Sequence, residues 1–248
     1  MGTGTSYGVP MLGCSCYTCT STDPRDKRLR SSALIESVNT TIIIDTGPDL
    51  RTQLLRQQTK QIDGIILTHE HNDHTAGLDD IRPYNFILKD DIPLYAEARV
   101  LDNLKERYQY IFNKTYSTAA KLAPIEIKPN SVFQLGDIEI LPLRILHGKL
   151  PILGYRIGDV AYLTDLKSLS DETFNLLKGI KTLIVTALEV KLHPTHFNVD
   201  EAQELAQALN VKETYLIHMS HKMGRHEERQ KTLSPNVHLA YDTLVIQG

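Results

Sequence analysis

The sequence predicts a two-sheet sandwich of the α+β class with helices on its outer faces. Two observations carry this. Short strands and helices follow one another through both halves of the chain, with no linker or low-complexity segment between them. In both halves, strands run straight into residues of metal-ligand type: Asp45 after TTIII, His69 after IILT, His147 after RIL, Asp165 after AYLT and His218 after YLI. The 248 residues, 41% of them hydrophobic, suffice for one well-buried domain spanning 1–248.

Composition narrows the partners. A net charge of −3 gives no broad basic footprint and argues against long nucleic acid, while leaving room for a small phosphate-bearing substrate. The fully apolar runs are only a few residues long, so no membrane span is expected. No charged-then-apolar signal peptide opens the chain. A cytoplasmic protein with reduced thiols is the expectation.

Residues 2–13 hold four glycines and a proline and read as a tight turn more than a phosphate cradle. Ser31–Glu36 and Thr40–Ile44 read as strands, Leu50–Gln58 as a short helix and the branched apolar run up to Leu67 as a buried strand. Ala76–Arg82 reads as a helix stopped by Pro83. Pro93–Ala96 is a strand, and Glu97–Phe112 a helix with Val100, Leu101, Leu104, Tyr108 and Ile111 on one face. The aromatics Tyr108, Tyr110, Phe112 and Tyr116 read as packing, not as a platform for bases. Four β-rich segments between 126 and 146 look like a meander. Ile152–Ile157 and Val160–Leu163 form a hairpin around Gly158-Asp159, followed by a helix over Ser170–Lys178 and a strand over Thr182–Thr186. Asn198 and Glu201 form a capping box for a helix running to Leu209. Thr214–Ile217 is a strand, Arg225–Lys231 a charged helix, and Val237–Ala240 and Thr243–Ile246 close the chain as strands.

The chemistry concentrates in Thr68-His69-Glu70-His71-Asn72-Asp73-His74, which holds three of the ten histidines. Imidazole and carboxylate suit borderline divalent ions such as Zn²⁺ and Mn²⁺. A turn after a rigid strand can aim His69, His71, Asp73 and His74 into one small volume. His147, Asp165 and His218 bring the set to five histidines and two aspartates, enough for two metals sharing a carboxylate, with positions open for water. Asp45 can be a ligand, a turn residue or, preferably, a carboxylate that fixes the tautomer of a metal-bound histidine. Cys14, Cys16 and Cys19 are the chain's three cysteines; an odd number in six positions is no disulfide framework. They read as three ligands of a structural metal that lacks a fourth.

These residues resemble the metal signature of the metallo-β-lactamase superfamily, and the likeness covers nearly the whole chain. The resemblance implies a four-layer αββα sandwich with a di-metal site at one edge of the sheets. It implies that His69, His71 and His147 hold one metal, that Asp73, His74 and His218 hold the other, and that Asp165 bridges them. An aspartate and a histidine at the last two positions are the pattern of the glyoxalase, tRNA-processing and phosphodiesterase branches. The opening GTGTSYGVPMLGCSCYTC is similar to the start of the PhnP-type phosphoribosyl cyclic phosphate phosphodiesterases. That likeness implies a structural zinc on Cys14, Cys16, Cys19 and His221, a closed tetrahedral set. It also implies a catalytic acid at His196, with His193 as runner-up. Relatives usually carry a short apolar strand ahead of GTGTS; this chain begins almost at the motif, so either the start is truncated, with loss of an edge strand of the first sheet, or the start codon is placed late. Relatives are often dimers, which makes a homodimer an expectation too.

The function implied is hydrolysis of a small cyclic or nucleotide-like phosphodiester by a metal-bridging hydroxide, with Mn²⁺ or Zn²⁺ in the active site. Asp73 orients the nucleophile and His196 protonates the leaving alkoxide. Three other readings stand beside it: a tRNA 3′-end endonuclease, a carbon-ester or thioester hydrolase, and a non-catalytic metal-binding protein. The first lacks a basic arm here, and the last conflicts with a complete ligand set.

Overall fold

A computed structural model describes residues 1–113 and 118–247. The first sheet is built from β1 (Ala33–Glu36), β2 (Thr41–Ile44), β3 (Gly64–Ile66), β4 (Ile92–Ala96) and β5 (Leu122–Glu126) in that spatial order. β1 and β2 are antiparallel; the other neighbours are parallel. Between these strands the chain forms α1 (Leu50–Gln57), α2 (Asn72–Thr75), α3 (Arg82–Leu88), α4 (Ala98–Arg107) and α5 (Gln109–Phe112).

The second sheet holds β6 (Phe133–Leu135), β7 (Ile138–His147), β8 (Leu150–Ile157), β9 (Val160–Leu163), β10 (Ser168–Leu169), β11 (Thr182–Thr186), β12 (Glu213–Ile217) and β13 (Val237–Leu239). Its order is β10-β7-β8-β9-β11-β12-β13, with β6 on β7. The hairpin strands β7, β8 and β9 are antiparallel, whereas β9, β11, β12 and β13 run parallel. Helices α6 (Asp171–Leu177), α7 (Val199–Leu209) and α8 (His226–Gln230) belong to this half.

Alternation along β2 accounts for the layering. Ile42 and Ile44 join Leu153, Tyr155, Tyr162 and Ile217 in a core cluster shared by the two sheets. Ile43, pointing the other way, joins Leu50, Leu54, Val100, Leu101 and Leu104 from the helices. On the second sheet Ile145, Leu163, Leu183 and Val185 pack with Leu177, Ala202, Leu205 and Leu209 of α6 and α7. A strand apolar on both faces needs cover on both, and this gives four αββα layers, as the resemblance implied.

Several elements differ from the sequence expectation. Pro83 does not stop a helix; it sits in the first turn of α3, where its missing N–H loses no bond. The helix expected over Glu97–Phe112 breaks at Tyr108 into α4 and α5. The strand expected at 126–128 falls earlier, as β5, and belongs to the first sheet. The segments at 138–141 and 144–146 are one ten-residue strand running through Pro142. Residues 243–246 form no strand. Tyr116 lies outside the described residues.

Candidate metal centre

The centre forms where parallel strands end. Asp45 leaves β2, Asp165 leaves β9 and His218 leaves β12, with φ of 62°, 55° and 55°. A left-handed conformation in a non-glycine residue costs on the order of 1–3 kcal/mol and persists only where the surroundings over-determine it. Here it breaks each strand abruptly and turns the side chain towards a common volume. Gly47 and Gly77 let the Asp45 loop and the histidine loop touch: a Cβ on Gly47 would lie 2.2 Å from the Asp73 carbonyl oxygen, and one on Gly77 would lie 2.2 Å from that of Gly47. Thr46 N–H donates to His74 O at 2.7 Å across this contact.

All seven expected ligands gather there. His69 Nε2 lies 2.9 Å from His71 Nδ1. The His147 ring is centred 5.9 Å from that of His69 and 5.3 Å from that of His71. His74 Nε2 lies 3.2 Å from Asp73 Oδ2 and 3.1 Å from Asp165 Oδ2, while His218 Nε2 lies 3.2 Å from Asp165 Oδ1. His69, His74 and Asp165 offer atoms within 4.8 Å of one another, as do Asp73, His74 and His218. His74 is common to these two groups, and Asp165 joins the first of them to a third, formed with His147 and His196. His74 Nε2 is buried without a hydrogen-bond partner, although two carboxylates face it. A nitrogen lone pair and carboxylate oxygens converging in this way fit a cation between them.

The carboxylates favour positive charge at this point. Burial opposes charge on His74, but Asp165, Asp45 and Asp73 outweigh it and hold the imidazole well above its usual range. Burial would raise Asp165 and Asp73; the neighbouring histidine charges pull both below the usual carboxylate range. His69 is pushed well below its ordinary value by burial and by His74, and burial lowers His218 to about 4. Asp73 and Asp165 thus stay ionised, as a divalent ion requires, whereas burial raises Asp45.

The outward-facing nitrogens have partners of their own. Asp45 Oδ2 lies 2.7 Å from His74 Nδ1, and Asp45 also accepts from the Thr68 N–H and hydroxyl at 2.8 Å and 2.9 Å. Thr68 Oγ1 is 2.9 Å from His69 Nδ1. His147 Nδ1 is 2.9 Å from Thr195 O, and His218 Nδ1 is 3.2 Å from Ser31 Oγ. Sequence reasoning found Asp45 but missed Thr68, Ser31 and Thr195. Thr68 adjoins His69 and could have been found; Ser31 lies 187 residues from its histidine and carries no local signal.

His196 sits against the ligands. Its Nε2 lies 3.0 Å from Asp165 Oδ1, and its ring stacks on that of His218 at 5.1 Å. His193 reaches His196 and Thr195, at 3.3 Å and 3.2 Å. The loop carrying both is pinned by Asn198, which completes the capping box of α7 and donates from Nδ2 to Val190 O at 2.9 Å.

Cys14, Cys16 and Cys19 surround His221, with Sγ to Nδ1 distances of 3.3 Å, 3.3 Å and 3.5 Å. Their four ligand atoms lie within 4.8 Å of one another. Three sulfurs and one imidazole so disposed fit a closed tetrahedral metal site. The opening segment reaches the same region: Met219 N–H donates to Thr3 O and Thr5 N–H to Met219 O, both at 3.0 Å.

Residues 40–219 match the family described as Beta-lactamase superfamily domain, and the chain belongs to that family. Its fold and donor set make it a metal-dependent hydrolase of the metallo-β-lactamase class. Among particular proteins it is similar to one solved as a new diphosphatase from the PhnP family, at 38% identity and a TM-score of 0.93, covering 100% of this chain and 95% of that one. It is 41% identical over 98% of its length to a Porphyromonas gingivalis protein named octanoyltransferase, covering 50% of that protein. It is 26% identical over 54% of its length to a ribonuclease Z of Methanopyrus kandleri, covering 46% of it. The chain thus spans about half the length of either curated relative. Among the described residues no helix is long and apolar enough to cross a membrane.

Proposed function

We propose that the chain hydrolyses a small phosphodiester, cyclic or nucleotide-like, at a two-cation centre. His69, His71 and His147 hold one cation, Asp73, His74 and His218 the other, and Asp165 is shared. The observation that carries the reading is the seven-donor set with an imidazole, His196, 3.0 Å from its shared carboxylate. Two divalent ions, Mn²⁺ or Zn²⁺, would supply Lewis acidity and a water of lowered pKa there. The chain's own residues do the rest. Asp73 orients the attacking water, and His196 donates a proton to the departing oxygen. Cys14, Cys16, Cys19 and His221 hold a structural zinc, and thiolates of that kind suit a reducing, cytoplasmic setting.

Support for chemistry at phosphorus comes from the similar PhnP-family diphosphatase. That neighbour's description also favours a second reading, cleavage of a small diphosphate. The octanoyltransferase name belongs to a protein of which half is unmatched, but it makes a carbon ester the third substrate to assay. A net charge of −3 weighs against a long RNA. The deciding experiment screens cyclic nucleotides, a ribose cyclic phosphate, an aryl phosphodiester, a nucleoside diphosphate derivative and an octanoyl ester with Mn²⁺ added. Turnover of the diesters above the others supports the reading; turnover confined to the octanoyl ester overturns it.

A further inference from the structure

We propose that Ser31 is a positioning residue of the second cation site: it fixes the tautomer of His218 through a hydroxyl relay that ends on the Gly4 carbonyl. The inference rests on the two-cation reading above and adds a residue to it.

A neutral imidazole carries one N–H, and a cation can bind only the nitrogen without it. His218 is 1% exposed, so solvent does not place that proton. Its Nε2 faces the centre, 3.2 Å from Asp165 Oδ1. Its Nδ1 faces Ser31 Oγ at 3.2 Å. The Ser31 hydroxyl has a single proton and donates it to Gly4 O at 3.0 Å. Toward His218 the serine oxygen can then only accept. The relay Nδ1–H to Oγ–H to O=C turns the Nε2 lone pair towards the centre, where the Thr5 hydroxyl also lies 3.3 Å from it.

Thr68 does the same at the first site. It lies 2.9 Å from His69 Nδ1 and donates its own proton to Asp45. The fold also holds Ser31 rigidly. The next residue, Ser32, donates its hydroxyl to Asp45 O at 2.7 Å and pairs through its backbone with Gly2. Adjacent serines thus brace two strand-end residues, His218 and Asp45, that both take left-handed φ. Gly4, the end of the relay, is bridged to Met219, the residue after His218. A hydroxyl partner of a ligating histidine is worth about 10–100-fold in metal affinity.

The test uses the 248-residue chain with zinc retained at the cysteine site. Mn²⁺ titration of wild type, Ser31→Ala and Ser31→Thr should show the second ion binding 10–100-fold more weakly in Ser31→Ala, the first ion little changed, and Ser31→Thr close to wild type. Spectra of ¹⁵N-labelled histidine in the metal-free wild type should place the His218 proton on Nδ1, which needs no variant to fold. A proton on Nε2, or a second-ion affinity in Ser31→Ala within twofold of wild type, overturns the proposal. A wild-type chain that binds no second ion overturns the two-cation reading instead, and the histidine spectrum still decides the role of Ser31.

Discussion

Asp45 and His74 form the most enclosed charged contact of the centre: Oδ2 lies 2.7 Å from Nδ1, and both side chains are 0% exposed. They are 29 residues apart in sequence and meet because β2 and β3 are parallel neighbours whose ends coincide. The contact leaves His74 Nε2 as the nitrogen facing Asp73 and Asp165.

Asp45→Asn should therefore weaken metal binding by about 10–100-fold, with activity falling in parallel. Metal content after dialysis, read beside hydrolysis, checks it. Unchanged metal content would return Asp45 to a turn residue.

His196→Ala should slow substrates with poor leaving groups by about 10²–10⁴ and an aryl phosphodiester far less. His193→Ala should show no such selectivity, because His193 reaches the centre only through His196 and Thr195. Equal losses on both ester types in His196→Ala would remove it from the acid role.

Cys16→Ser should release one zinc per chain. A closed site of this kind contributes folding energy outright. A loss of roughly 3 kcal/mol would lower Tm by about 6–12 °C in a chain of this size. Because His221 follows His218 by three residues, activity at saturating Mn²⁺ should fall as well. Zinc analysis and thermal melts read the first effect, and a full zinc complement in the variant would sink the assignment.

Burial, with Arg28 and Arg25 nearby, holds His226 at about 4 against an ordinary 6.5; Asp23 and Asp26 work the other way and are outweighed. Between those values the unfolded chain binds the extra proton, so stability present above pH 6.5 is lost as pH falls towards 4. His226→Gln should flatten that part of the curve. Denaturant titrations from pH 7 to about 4 test this; loss of zinc from thiolates acts on both proteins, so the difference between them is the measure. Parallel curves would exclude His226.

What the sequence made legible is local or patterned. The His69–His74 loop, the three cysteines and the Asn198–Glu201 box each sit within a few residues, so composition and spacing expose them. Residues such as Asp45, Asp165 and His218 were visible as polar stops to apolar runs. Proline was read less well. Pro83 opens a helix and Pro142 sits inside a strand, since what a missing N–H means depends on whether a partner was due there.

The sequence by itself thus determined the layered fold and offered the candidate donor residues, because burial period and ligand chemistry are properties of short stretches. Tertiary structure alone decided how those donors are oriented: Asp45 on His74, Thr68 on His69, Ser31 on His218, and His196 rather than His193 against Asp165. The physical reason is that a tautomer or a lone-pair direction is set by whichever group packs behind the ring. For His218 that group is 187 residues away, brought there by strand order and by the left-handed turn at the end of β12.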